Sequence, residues 1–131
     1  MTWRSFTVAA LALVVTCLAL AGAAAAGESA PREGEKPALE RAEPKYVCMV
    51  NDRVFDKEQI PVEVENRTYY GCCQMCKQAL TERPELRSGT DPVSGKPVDK
   101  AKSVIGSLAD GSVLYFESDK TFIEYQKKLA R

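Results

Sequence analysis

Apolar and polar positions divide the chain into three regimes. Phe6 to Leu20 is almost wholly apolar, and the small residues Ala21 to Ala26 follow it. Gly27 to Pro44 is polar, carries Pro31, Pro37 and Pro44, and has no periodicity, so a flexible linker is expected over 27–44. From Lys45 onward the pattern becomes that of a folded domain. Tyr46 to Val50 reads as a short extended segment ending at the turn signal Asn51-Asp52. Ile60 to Val64 and Thr68 to Gly71 flank Glu65-Asn66-Arg67 and predict a hairpin. Over Cys72 to Arg83 the period changes to helical, with Cys72, Cys76, Ala79 and Leu80 on one face, and Pro84 closes the segment.

The same order then recurs. Asp91-Pro92-Val93-Ser94-Gly95-Lys96-Pro97-Val98 has turn chemistry, and Val104 to Leu108 with Ser112 to Phe116 predicts a second hairpin around Ala109-Asp110-Gly111. Ser118 is the expected N-cap of a C-terminal helix, with Asp119 in its first turn and an apolar stripe of Phe122, Tyr125 and Leu129. Laying Cys48 on Ser94 and Tyr70 on Tyr115 sets Cys72 opposite Glu117, Cys73 opposite Ser118 and Cys76 opposite Thr121. The expectation is an α+β fold of two hairpin-plus-helix units, 45–87 and 88–131, of which only the first carries thiols.

The apolar N-terminus changes the picture of where this domain works. Arg4 precedes the apolar run, and Ala24-Ala25-Ala26 offers a cleavage site of the small-residue type, so 1–26 is expected to be a signal peptide. The protein is therefore expected to be exported, to a bacterial periplasm. Phe6 to Ala26 is also long enough to span a bilayer, and Val14-Val15-Thr16-Cys17 loosely resembles a lipoprotein box. Membrane association is expected only through such an uncleaved or lipidated N-terminus.

Charge removes one class of partner. Among 131 residues, 18 Lys+Arg balance 18 Asp+Glu, and no basic stripe carries interleaved aromatics, so no nucleic-acid partner is expected. Histidine is absent, which excludes Ser-His-Asp and Cys-His nucleophile systems and every His-ligated zinc site. Glu58, Glu63 and Glu65 look like a solvated strand face, and Tyr69, Tyr70 and Tyr115 like core or hairpin pairs. No enzyme is expected.

What remains is sulfur. Cys48, Cys72, Cys73 and Cys76 would be left once Cys17 departs with the signal. Cys72 and Cys76 lie one helical turn apart, Cys73 and Cys76 form a C-x2-C pair, and Cys48 approaches from a separate segment. An all-sulfur set selects soft or borderline ions: Zn2+ wants four thiolates, while Cu(I) accepts two or three. Cys48, Cys72 and Cys76 are the most economical metal ligands, with Cys73 a fourth ligand, an exchange partner or a buried thiol. Met49 and Met75 read as core filling more than as thioether ligands. Two competing readings stay open: a domain stapled by two disulfides, serving as a structural or interaction domain of the cell envelope, and a redox dithiol at Cys73 and Cys76.

Tyr69-Tyr70-Gly71-Cys72-Cys73-Gln74-Met75-Cys76-Lys77 resembles the signature of the TRASH/YHS family of small cysteine-rich metal-binding modules, and Cys48 matches that family's early cysteine. Asp91-Pro92-Val93-Ser94-Gly95-Lys96-Pro97-Val98 resembles the family's opening segment, with Ser94 in the cysteine position. The resemblance implies treble-clef-like modules, two in tandem packed as one domain, and a role in soft-metal sensing, trafficking or resistance. It implies Cys48, Cys72 and Cys76 as ligands, with Cys73 an addition. Ser94, Glu117 and Thr121 could not form a thiolate site, so the second module is expected to support the first.

Overall fold

Two antiparallel hairpins, each running into a helix, organise residues 38–131, which are those described by the computed structural model. The expected signal peptide, Cys17 and the linker up to residue 37 lie outside the described residues. In chain order the elements are β1 (Leu39–Ala42), β2 (Val47–Cys48), β3 (Arg53–Val54), β4 (Ile60–Val64), β5 (Arg67–Gly71) and α1 (Gln74–Glu82). There follow β6 (Ser88–Thr90), β7 (Pro97–Asp99), β8 (Val104–Leu108), β9 (Val113–Phe116) and α2 (Asp119–Leu129). Single 3-10 turns occupy Pro44–Tyr46 and Pro84–Arg87. The expected α+β class is observed, and among the described residues no helix is long and apolar enough to cross a membrane.

The first hairpin closes through Glu65 and Asn66, both in the left-handed region at φ 52° and 60°, between the paired residues Val64 and Arg67. Two consecutive positive φ values match the twist of a two-residue hairpin, which Asn tolerates well. Helix α1 begins at Gln74 instead of Cys72, because Cys73 has extended backbone and serves as the N-cap. Pro84 ends the helix as expected, since it has no N–H to continue it. Ser118 caps α2 by accepting the Thr121 N–H, and Asp119 and Lys127 complement the helix dipole at opposite ends.

The larger core joins Val47, Met49, Val62, Tyr69 and Leu80 to Ile105, Val113 and Tyr115, so both hairpins bury their inner faces in one place. A smaller cluster holds Leu39, Phe116 and Phe122, with the two phenylalanine rings edge-to-face at 5.4 Å. The apolar stripe of α2 fades along its length: Phe122 is buried, Tyr125 is half-buried and Leu129 is exposed.

Strand β1 corrects the expected linker boundary. Its four residues pair antiparallel with β8, from Leu39↔Leu108 to Ala42↔Ile105, completing the three-stranded sheet β1-β8-β9. Leu39 is fully buried, its carbonyl accepts from Gln126 Nε2, and Arg41 pairs with Asp119 while lying 5.0 Å from the Phe122 ring centroid. Close approach is possible because Gly106 has no side chain: a Cβ there would stand 2.7 Å from Leu39 Cδ1. A lone large apolar residue among charges gives no period to read, yet the backbone ladder and that one anchor suffice for an edge strand. The folded part therefore includes Leu39–Ala42, ahead of the expected start at Lys45. Leu39→Ala is expected to cost about 3 kcal/mol, and a chain beginning at Lys45 should melt at a clearly lower temperature. Equal melting of the truncated chain would show β1 to be dispensable.

Candidate metal centre

Cys48 ends β2 and is fully buried, and the turn Met49–Asp52 folds back over it before β3. Burial pushes its thiol up, but the backbone N–H groups of Asn51, Val50 and Cys72 aim at the sulfur and outweigh burial. The net result lies below the ordinary thiol value. The turn is held from several sides. Met49 N–H donates to Tyr70 O at 2.9 Å, Val54 N–H to Gly111 O at 2.9 Å, and Val113 N–H to Asp52 O at 3.0 Å. Asp52 adopts a left-handed φ of 51°, and its carboxylate accepts from Lys100 Nζ at 2.6 Å and Tyr115 OH at 2.8 Å. The Lys100 ammonium, on a side chain only 5% exposed, also donates to Met49 O at 2.8 Å. Burial, reinforced by the Asp52 charge, pushes the Tyr115 phenol well above its ordinary value, so it stays a donor. Residues 100–115 thus clamp the turn that carries Cys48.

The other sulfurs come from the junction of β5 and α1. Gly71 makes the junction tight: a Cβ there would lie 2.9 Å from Cys76 Cβ and 3.2 Å from the Cys76 carbonyl carbon. Cys72, in the bend ahead of the cap, is half-buried, and Cys76 in the first turn of α1 is buried. Their sulfurs are 3.6 Å apart, and Cys48 Sγ is 3.9 Å from Cys76 Sγ. All three sulfurs lie within 4.8 Å of one another. Tetrahedral zinc with bonds near 2.3 Å needs sulfurs roughly 3.8 Å apart, so the group is close to the size of a metal's coordination shell. Asn51 Nδ2 lies 3.5 Å from Cys72 Sγ as a donor.

Cys73 is different. It is exposed, lies outside the group of three, and places its sulfur 3.4 Å from Cys76 Sγ while accepting the Cys76 N–H. That N–H, the largest influence on it, holds the Cys73 thiol below its ordinary value. Burial raises Cys72, and burial with hydrogen bonds to Cys73 and Cys72 pushes Cys76 up to about 12. Closely spaced thiols cannot all ionise without compensation, and a soft cation is the natural compensation for them. Among the described residues, the four cysteines form no disulfide. Core filling describes Met49, which is fully buried, but not Met75, which is 81% exposed on the first turn of α1.

The second half holds a residue that sequence reading missed. Strand pairing sets Val47↔Val54 and Cys48↔Arg53 in one place and Thr90↔Pro97 in the other, with Asp91 N–H bonded to Lys96 O. Asp91, not Ser94, therefore stands where Cys48 stands. Its carboxylate is fully buried. Oδ1 accepts from Val93 N–H at 2.7 Å and Ser94 N–H at 3.1 Å, and Oδ2 accepts from Glu117 N–H at 2.8 Å and Thr121 Oγ1 at 2.7 Å. The backbone donors match those at Cys48 position for position: two from the turn and one from the residue before the helix cap. Resemblance to the family's opening segment set Ser94 in the cysteine position, whereas the strand register sets Asp91 there. Ser94 is exposed, and Glu117 turns its carboxylate to Lys96 Nζ at 3.4 Å.

Set against family models, curated proteins and solved structures, the chain matches none of them.

Burial pushes the Asp91 carboxyl up, but Thr121 and the N–H groups of Glu117, Val93 and Ser94 outweigh it and hold it below the usual value. A carboxyl more acidic folded than unfolded stabilises fully above its unfolded pKa, and that stabilisation disappears as pH falls through the folded value. Asp91→Asn is expected to cost about 2 kcal/mol at neutral pH, because charged acceptors make the stronger bonds. The loss relative to the parent should shrink in acid, as followed by denaturant melts from pH 7 down to pH 2.

Proposed function

We propose that the chain is an exported soft-metal-binding protein, not an enzyme, that holds or hands on Cu(I), Zn2+ or a toxic soft ion at Cys48, Cys72 and Cys76. The observation that carries this reading is the convergence of three sulfurs from two separate segments to within 4.8 Å of one another. A turn that aims backbone N–H groups at Cys48 favours the thiolate a metal requires. Three sulfurs suit Cu(I) alone, whereas Zn2+ would need a fourth donor. Export rests on the apolar N-terminal run and its Ala24-Ala25-Ala26 site, and places the work in an envelope compartment with a protein partner there.

The knuckle, hairpin and helix order supports a treble-clef-like unit of the TRASH/YHS type, repeated in tandem. In the second unit the Asp91 carboxylate takes the acceptor role of Cys48, and the unit's part is to clamp the first through Lys100 and Tyr115. The disulfide-stapled alternative is less well supported. Cys76 is the shared neighbour of the other three sulfurs, which suits one centre better than two separate bridges.

Native and denaturing intact mass spectrometry on protein taken from the export compartment tests this. One ion per chain, lost on acidification and absent from Cys76→Ser, is the expected result, with a lower melting temperature after chelation. A metal-free mass short of two or four hydrogens would replace the metal site with disulfides. Gly71→Ala, which pushes on Cys76, should weaken ion binding while leaving the second hairpin folded, as read by titration with a competing chelator.

A further inference from the structure

We infer that Cys73 is the exchange ligand of the centre, the sulfur through which a soft ion passes between a thiol- or thioether-bearing donor and the buried three. This deepens the proposed metal reading and rests on it. Cys48 is fully buried and Cys76 is 8% exposed, so an incoming donor cannot reach either sulfur directly. Cys73 is exposed, and its sulfur is the nearest of all to Cys76 Sγ, at 3.4 Å against 3.6 Å for Cys72 and 3.9 Å for Cys48. Cys76 therefore belongs to two overlapping sets: an outer pair with Cys73 and the inner group with Cys48 and Cys72.

An ion can move between these sets without ever losing its bond to Cys76. On arrival, Cys73 and then Cys76 bond to the ion as bonds to the donor's sulfurs break. The protons of the incoming thiols go to the departing thiolates of a thiol donor, or to water where the donor is a thioether. Cys48 and Cys72 next replace Cys73: one of their two protons returns to Cys73 and the other goes to water. No electron changes hands, and the ion's charge is unaltered. Met75, 81% exposed on the same first turn of α1, offers a thioether at the surface where the donor must dock. As a permanent fourth ligand Cys73 is poorly placed, because it is exposed and lies outside the group of three.

Serine is a strong N-cap and occupies that position in α2, so Cys73→Ser should keep the fold. The full chain, parent and variant, would be mixed with Cu(I) as its glutathione complex, with uptake followed in time by native mass spectrometry. Cys73→Ser should still reach one Cu(I) per chain but load about tenfold more slowly or worse, a barrier increase of about 1.4 kcal/mol. Circular dichroism of the variant should match the parent. An unchanged rate overturns the inference, and so does loss of the bound ion in Cys73→Ser, which would make Cys73 a permanent ligand. If the parent chain takes up neither Cu(I) nor Zn2+, the metal reading itself fails and the exchange role with it.

Discussion

Backbone N–H groups turned inward between a knuckle, a hairpin and a helix have to find an acceptor there, because a buried donor without one is costly. The constraint arises twice in this protein. At Cys48 the donors are Val50, Asn51 and Cys72, and at Asp91 they are Val93, Ser94 and Glu117. Both acceptors are groups that can carry negative charge. They differ in what else surrounds them. The Asp91 carboxylate spreads its charge over four donors, including the Thr121 hydroxyl, and is complete. The Cys48 sulfur faces two further thiols, which add acidity and no cation. One half is thus closed electrostatically by its own residues, whereas the other, on the proposed reading, is closed by an ion.

The halves are not independent, and the coupling runs through the Cys48 turn. Lys100 bridges Met49 O and Asp52, Tyr115 bonds Asp52 from beneath, and the backbone of Gly111 and Val113 pairs with that of Val54 and Asp52. A buried ammonium is tolerable here because it is matched by a carboxylate and a carbonyl. Removing one partner would leave the other charge unpaired in the shared core. The half without cysteines thereby supplies rigidity to the turn that carries Cys48. A preorganised knuckle reduces the ordering cost of binding.

Exposure grades the four sulfurs from buried Cys48 and Cys76, through half-buried Cys72, to exposed Cys73. On the proposed reading, such a gradient suits retention by the inner sulfurs and exchange through the outer one. Gly71 underlies the gradient, since any side chain there would force α1 away from β5 and separate Cys76 from its neighbours.

Local patterning was enough to read both hairpins, the proline stop after α1, the serine cap of α2 and the candidate ligands Cys48, Cys72 and Cys76. Most of those features are encoded by residues within a turn or two of one another, and the ligand candidates by the clustering of cysteines in a chain without histidine. Tertiary structure decided the rest. Strand β1 exists because Leu39 meets Gly106 and Phe122 far along the chain, and four residues of mixed charge could not announce it. Asp91 finds its last two donors 26 and 30 residues away, so its sequence context shows only a turn. The same holds for Cys73 and Met75: neighbouring letters place them beside the cluster, but only the packing of α1 against β5 settles which sulfurs are enclosed and which face water.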